Sequence, residues 1–221
     1  MELAELYREP RDLPLVIPVF PLARALILPR AQLPLNIFEP RYLAMVDAAM
    51  AGERIIGMVQ PALGRGKDGS GDLEPVGAAG RITTYSETPD GRYLITLTGI
   101  CRFRIVEELE AGTAFRVCRV TFDPFATDLR PNLGEDAVDR KRLLELLRAF
   151  LDSRNLDADW KEVNSSSTEV LVNALSILSP YGAQEKQALL EAPDLRTRAD
   201  ILIALTEREL GDDSEQGTTL Q

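Results

Sequence analysis

The chain has 221 residues, a formal net charge of -10 and 45% hydrophobic residues, which is typical of a folded globular protein and excludes an intrinsically disordered one. It contains no histidine, and this excludes serine–histidine and cysteine–histidine catalytic pairs as well as histidine-ligated metal sites. The acidic charge repels phosphate backbones and so argues against nucleic acid as a partner.

Several features predict a cytoplasmic protein with no membrane partner. No uncharged apolar run approaches the ~20 residues that span a bilayer, and residues 1–11 do not resemble a secretion signal. The two cysteines, Cys101 and Cys118, are then expected to be reduced and buried. Two thiolates would need two further ligands to hold zinc, so we expect no metal site, and nothing in the sequence indicates a cofactor.

The first part of the chain is predicted to form short strands and one helix. Proline bounds the apolar runs at residues 16–20 and 25–28, which is typical of edge strands or bulges because proline cannot donate to a sheet ladder. Residues 33–38 are another extended stretch. From Pro40, which suits the first turn of a helix, to Gly52, apolar residues recur with helical spacing.

A buried strand is predicted at residues 55–60 and a flexible, glycine-rich loop at residues 64–71. In this loop Asp68 follows Gly66 and Lys67, where a phosphate-binding Walker loop needs serine or threonine. The negative charge lies where a phosphate would bind, so the loop is predicted to be a plain connection.

A turn at residues 88–91 that contains proline and glycine predicts a β-hairpin between residues 80–87 and 92–99, and side chains of the second strand alternate between two faces. Further strands are predicted at residues 101–105 and 115–122. Six or more short strands with one inserted helix favour a small, partly closed barrel.

Four arginines on these strands, Arg102, Arg104, Arg116 and Arg119, allow two interpretations. They form either a basic patch for nucleic acid or a solvated sheet face paired with nearby glutamates. Nucleic-acid platforms interleave bases with aromatic side chains, and few aromatic residues share this face. We therefore favour the solvated, paired face.

The second part of the chain is predicted to be helical. Glu135, Asp136 and Asp139 are expected to begin a first helix, because carboxylates suit the positive end of the helix dipole. A capping box at residues 166–169 predicts a second long helix, which ends before Pro180.

A shorter helix is predicted at residues 184–191, and Asp194 is expected to cap a last helix that ends near Leu210. The predicted domains are a β-rich domain at residues 1–125, a helical domain at residues 132–210 and a disordered tail at residues 211–221. A short exposed link at residues 125–131 joins the two domains.

Two segments of the β-rich part carry a family resemblance, Ile17-Pro-Val-Phe-Pro-Leu22 and Leu33-Pro-Leu-Asn-Ile-Phe-Glu-Pro-Arg-Tyr42. They resemble the opening of the Lon substrate-binding (Lon N-terminal) domain family, and further matching pieces follow at residues 57–59, 76–82 and 91–103. The resemblance implies an α+β fold, with a PUA-like small β-barrel that carries an inserted helix and is followed by a C-terminal helical bundle.

The resemblance also implies a role in binding unfolded or partly folded proteins and peptides, as an adaptor or chaperone-like module. A protease or a chaperone is a further expected partner. Full-length Lon proteases continue into an ATPase and a serine–lysine peptidase, and this sequence has neither, so we expect no enzyme activity and no catalytic residues. An RNA- or small-ligand-binding PUA-like module is the alternative.

The candidate peptide-binding residues are Phe38, Glu39, Arg41 and Tyr42, at the junction between a strand and the inserted helix. A purely structural role is the competing interpretation for these four residues. Phe38 and Tyr42 are four residues apart and suited to packing together, and Arg41 is placed to pair with Glu39.

Overall fold

The computed structural model describes residues 3–62 and 71–218. The chain divides into two compact units: unit 1 is Met1–Pro131 with Tyr181–Leu190, and unit 2 is Asn132–Pro180 with Glu191–Gln221. Apart from Gly71, the loop predicted at residues 64–71 lies outside the described residues.

Unit 1 is built on one mixed sheet, which has six strands within the described residues, in the order β2-β5-β4-β3-β1-β6. Its strands are β1 Val16–Pro21, β2 Gln32–Ile37, β3 Ile55–Val59, β4 Val76–Glu87, β5 Tyr93–Leu109 and β6 Arg116–Thr121. The pairing is circular, because β6 pairs with both β1 and β5. Among the strands of the described residues only β1 and β3 pair in parallel, and the α+β class predicted from the sequence is confirmed.

The long strand β5 organises this sheet. The predicted β-hairpin is present, since β4 and β5 meet at a turn in which the Thr88 N–H donates to the Arg92 carbonyl and Gly91 has a φ of 77°. The two strands predicted on either side of Ile100 are one continuous strand. Its first part pairs with β2 and its last part with β6, so β5 contributes to both ends of the sheet.

The run at residues 25–28 was predicted to be an edge strand or a bulge, and it is instead a buried loop. Leu26, Ile27 and Leu28 are buried but have no strand partner. A hydrophobic run indicates that a segment is buried, but it does not show whether the segment is hydrogen-bonded in a sheet. Here the loop packs on Gly99 of β5, where an added Cβ would lie 2.0 Å from the Leu28 carbonyl oxygen.

The inserted helix α2 follows the predicted pattern. It spans Pro40–Ala51, with Pro40 in the first turn and Gly52 at the C-terminal cap. Its predicted apolar stripe is buried, at Tyr42, Met45, Val46 and Ala49.

Residues 125–131 are not the exposed link that the sequence predicts. Asp123–Leu129 forms 3₁₀ turns that belong to unit 1, and Phe125, Asp128 and Leu129 are buried. The sequence did not predict that these residues are buried, because the segment has neither helical nor strand periodicity. The helix α6, Ala183–Glu191, was placed in the helical domain by the sequence, yet all but its last residue falls in unit 1.

Unit 2 is helical. Asp139 caps α3 by accepting a hydrogen bond from the Arg142 N–H, and Asp194 accepts one of 2.7 Å from the Thr197 N–H at the start of α7. Glu135 and Asp136 lie in a separate 3₁₀ turn, so the first helix begins later than predicted. The helices of the described chain are α1 Leu3–Leu6, α2 and α6 in unit 1, and α3 Arg140–Ser153, α4 Trp160–Ser165, α5 Thr168–Leu178 and α7 Leu195–Thr218.

Two helix boundaries in unit 2 differ from the predictions. Ser167 caps α5, so Glu169 is one residue too early for a capping box, and its carboxylate accepts the Asn132 N–H at 2.8 Å instead. The helix α7 continues to Thr218 and covers most of the segment predicted as a disordered tail. Each residue added to an existing helix forms one further hydrogen bond, so a helix can continue through a weak residue such as Gly211.

Candidate functional site

The strand-to-helix junction holds the four residues that the sequence singled out. Glu39 occupies the N-cap position of α2 without making a side-chain cap, and its Oε2 accepts a hydrogen bond of 3.0 Å from Arg41 Nε. The predicted Arg41–Glu39 pair is therefore present. Both side chains remain partly exposed, so this pair contributes little to stability by itself.

Tyr42 has a structural environment. Its ring packs against Phe20 of β1 with 4.3 Å between centroids, and the Arg41 guanidinium lies 4.5 Å above it. Burial raises the pKa of the Tyr42 phenol. The ring contact of Tyr42 is with Phe20 and not, as predicted, with Phe38, whose side chain is 62% exposed. The junction thus brings Glu39, Arg41 and Tyr42 together and leaves the Phe38 side chain exposed.

A shallow groove lies on the sheet beside this junction. We call it the three-strand groove. Its lining is uncharged throughout: Pro34, Leu35 and Asn36 of β2, Thr84, Tyr85 and Ser86 of β4, and Leu94, Ile95 and Thr96 of β5. Leu94 is 45% exposed on the face of Asn36 and Ser86, whereas Tyr85, 40% exposed, lies on the opposite face with Ile95. An open apolar surface of this kind is suited to binding an uncharged partner.

The Tyr85 ring is held in place by Tyr93. The two ring centroids are 5.1 Å apart, and Tyr93 shares hydrogen bonds with Asp47 of α2 and with Tyr85, which raise the pKa of its phenol. The sequence missed this groove. The available signal was Leu94, an apolar residue on the strand face that otherwise carries Thr96 and Thr98.

The predicted solvated arginine face is correct for two of its four members. Arg116 donates to Glu108 and Arg119 to Glu107, each with one hydrogen bond of 2.7 Å. Arg104 is exposed. The carboxylates neutralise the two paired arginines, which weakens the case for a phosphate-binding patch.

Arg102 is the exception, and its predicted exposure is wrong. It is 2% exposed and forms two hydrogen bonds of 2.8 Å with the Asp128 carboxylate, from Nε and Nη2. Its Nη1 donates to the Leu190 carbonyl of α6 at 3.0 Å, and its guanidinium lies 4.6 Å from the Phe125 ring centre. An arginine on a strand is buried only where a carboxylate from elsewhere in the fold meets it, which strand alternation does not show.

Burial shifts the pKa of two thiols and one amine in unit 1 in opposite directions. Cys101 and Cys118 are free and buried, as predicted. Burial raises the pKa of the Cys101 thiol, and it raises that of Cys118 to about 11. Lys186 of α6 is also buried, at 2% exposed, and burial lowers its pKa to about 8. The thiols therefore remain protonated at neutral pH.

Within residues 3–62 and 71–218, acidic, cysteine and histidine side chains form no group of three that could hold a metal ion. No helix in that part of the chain is long and apolar enough to cross a bilayer.

Comparison with known families identifies the domain. The family model described as the substrate-binding domain of the ATP-dependent protease La (LON) matches residues 16–208. This chain belongs to the Lon substrate-binding domain family. The resemblance seen in the sequence is confirmed. The family description supports a substrate-recognition module.

Individual relatives agree with the family match. Lon protease 2 of Myxococcus xanthus is 24% identical over 201 residues, which is 90% of this chain and 24% of that protein. Lon protease of Dictyoglomus thermophilum is 25% identical over 223 residues, which is 95% of this chain and 26% of that protein. The chain therefore spans about a quarter of the length of these curated relatives.

Solved structures show the same fold. The Lon N-terminal domain protein from Xanthomonas campestris matches with a TM-score of 0.60 and 22% identity, over 86% of this chain and 97% of that chain. The N-terminal domain of the Mycobacterium avium complex Lon protease matches with a TM-score of 0.65 and 22% identity, over 87% and 98% of the two chains. The predicted α+β Lon N-terminal fold is thereby confirmed.

Proposed function

We propose that this Lon substrate-binding domain captures exposed, uncharged segments of unfolded or partly folded proteins at the three-strand groove. The observation that carries the proposal is the uncharged lining of that groove, with Leu94 partly exposed on the face that it shares with Pro34 and Asn36. Binding there removes apolar surface from water, at ~25 cal/mol per Å². The family match to a substrate-binding domain supports the same role.

The strand-to-helix junction contributes to this site in two ways. Phe38, at the end of β2, is the proposed contact residue, because its ring is exposed. Glu39, Arg41 and Tyr42 are proposed to hold the junction in place, since they are joined to one another and to Phe20. A ligand that packs on Phe38 then meets a fixed backbone, and this reduces the entropy lost on binding.

The proposed module acts without catalysis, as an adaptor or a chaperone-like binder in the cytoplasm. Its matched relatives are named Lon proteases, and the part that they share with this chain is described as substrate-binding. The protonated thiols of unit 1 are poor nucleophiles, which agrees with a binding role. A protease or chaperone that receives the captured chain is part of this proposal.

The test is a titration of the full chain with a fluorescently labelled, unfolded model protein. Leu94→Ser should weaken binding about tenfold, the loss expected for one buried leucine side chain. Val106→Ser is the matched control, since Val106 lies on the same strand and is also exposed but does not line the groove. Equal affinities for the two variants would show that the groove is not the binding site.

The alternative, RNA binding, makes the opposite prediction about salt. Phosphate neutralisation would make the affinity fall steeply as salt rises, whereas apolar burial should survive moderate salt. A parallel titration with labelled RNA at low and moderate salt separates the two. Salt-sensitive RNA binding without any binding of the unfolded protein would replace the proposed function with the alternative.

A further inference from the structure

The strand β2 forms one end of the sheet. It pairs with β5 along one side, and within the described residues no strand pairs with its other side. The outward side chains of Gln32, Pro34 and Asn36 are all exposed. An edge strand with an open side presents a row of unpaired main-chain groups.

The direction of those groups follows from the hydrogen bonds of Gly99. Its N–H donates to the Ala31 carbonyl at 2.9 Å and its carbonyl accepts the Arg30 N–H at 2.8 Å, so Gly99 faces the β2 side of β5. Main-chain groups alternate in direction along a strand, so Leu97 and Ile95 face β2 as well.

The register then fixes which residues of β2 point away. Leu33 lies opposite Leu97 and Leu35 opposite Ile95, so these two residues of β2 use their main-chain groups in the ladder with β5. The residues between and beside them, Gln32, Pro34 and Asn36, therefore direct their main-chain groups to the open edge. No main-chain partner for these three residues is found in the described part of the chain outside the β2–β5 ladder.

We propose that the open edge of β2 accepts an extended, uncharged polypeptide segment as an additional strand of the sheet. This inference rests on the proposed function and deepens it, because it specifies how the captured segment is held. The main-chain bonds supply binding that does not depend on sequence. Alternate side chains of the added strand continue the face that carries Pro34, Asn36 and Leu94.

The charge of the surroundings selects the occupant. The three-strand groove next to the edge has no charged lining residue. A charged side chain of the added strand would lose water there without gaining a counter-ion, which is unfavourable. The proposed occupant is therefore an uncharged segment of an unfolded chain, and not an acidic or basic peptide.

Pro34 limits the pairing. It has no N–H, so the open edge has donors at Gln32 and Asn36 but a missing donor between them. Proline on an edge strand is a known means of preventing unlimited strand addition. The edge is thus suited to short, reversible pairing. Pairing with a second copy of β2 is less favourable, because that strand also contains Pro34 and lacks a second N–H donor.

The experiment measures binding of a short, end-blocked, uncharged peptide to the full chain. Two versions of the peptide carry N-methyl groups at every second residue, in opposite frames. Strand addition predicts that methylation in one frame weakens binding by about twofold to tenfold for each hydrogen bond lost, while the other frame has little effect. Equal loss in both frames, or loss in neither, would overturn strand addition.

A pair of protein variants tests the same main-chain hydrogen bonds by changing the protein in place of the peptide. Asn36→Pro removes an outward N–H that the β5 ladder does not use, and Asn36→Ala keeps it. The proline variant should bind about twofold to tenfold more weakly than the alanine variant. Equal binding by two folded variants would contradict the inference, and if the proline variant does not fold, the methylated peptides on the parent chain decide.

Failure of this inference can be distinguished from failure of the proposed function. If Leu94→Ser weakens binding but the methylation frames do not differ, the groove binds side chains and strand addition is wrong. If the parent chain binds no unfolded protein at all, the proposed function fails first. Analytical ultracentrifugation of the parent chain tests whether it forms dimers. A dimer that Asn36→Pro dissociates would show that a second copy of the chain occupies the edge, and it would overturn the proposed occupant.

Discussion

Arg102 and Asp128 form a buried, bidentate ion pair between strand β5 and the 3₁₀ turns that follow the sheet. The Arg102 side chain is 2% exposed and that of Asp128 9%. The same Asp128 carboxylate also accepts the Arg102 backbone N–H at 3.0 Å, and its main-chain carbonyl accepts a bond of 2.7 Å from Arg30 Nη1. The pair therefore fixes the segment that the sequence predicted to be an exposed link.

Removing one partner of this pair should be costly. Asp128→Ala leaves a buried guanidinium without its counter-ion, and the free energy of unfolding should fall by about 3–5 kcal/mol in urea denaturation. Glu107→Ala is the control, because it breaks the half-exposed pair with Arg119 and should cost less than about 1 kcal/mol. Similar losses for both variants would show that the buried pair is not a main support of unit 1.

The buried loop at residues 25–28 should tolerate no side chain at Gly99. Gly99→Ala places a Cβ 2.0 Å from the Leu28 carbonyl oxygen, and the backbone must move to relieve the clash. We expect a loss of at least about 2 kcal/mol in unfolding free energy. Gly52→Ala serves as the control, since its added Cβ would lie 3.7 Å from the nearest atom, the Ala48 carbonyl oxygen, which is an ordinary contact. A thermal midpoint for Gly99→Ala equal to that of the control would contradict the close packing.

Lys186 should make the stability depend on pH. Its pKa in the folded state is about 8, below the ordinary 10.5, so between these values the unfolded chain binds more protons. The contribution of this residue to stability therefore rises as pH increases from about 8 towards 10.5. Lys186→Met should be more stable than the parent at pH 7, and the difference should shrink as pH rises through this window.

Denaturation of both proteins across that pH range measures the effect of Lys186. Lys141→Met is the matched control, because the Lys141 side chain is 89% exposed. A constant difference between the parent and Lys186→Met would show that the amine does not change its charge in this window.

The thiols should react slowly in the folded protein. The thiolate is the reactive form, and burial raises the pKa of Cys118 to about 11 and also raises that of Cys101. At pH 8 a thiol reagent should label the native chain far more slowly than the chain unfolded in denaturant. With Cys101→Ser isolating Cys118, the labelling rate should still increase above pH 9. A rate that levels off near pH 9 would indicate an ordinary, accessible thiol.

The local elements were predictable because their signals lie within a few residues. Pro40 and Gly52 bound α2, the turn at Gly91 joins β4 and β5, and Asp194 caps α7, each through bonds to near neighbours in the chain. The Arg41–Glu39 pair was visible for the same reason. The motif at residues 33–42 also identified the family, which the match over residues 16–208 confirmed.

What the sequence by itself determined is therefore the set of local elements, the family and the position of the strand-to-helix junction. Only the tertiary structure decided which residues these elements bury or leave open. Arg102 is buried because Asp128, 26 residues away, meets it, and residues 25–28 are a loop because β5 already has its partners. The groove at Leu94 and the open edge of β2 likewise depend on which strands pair, a long-range choice that alternation within one strand does not encode.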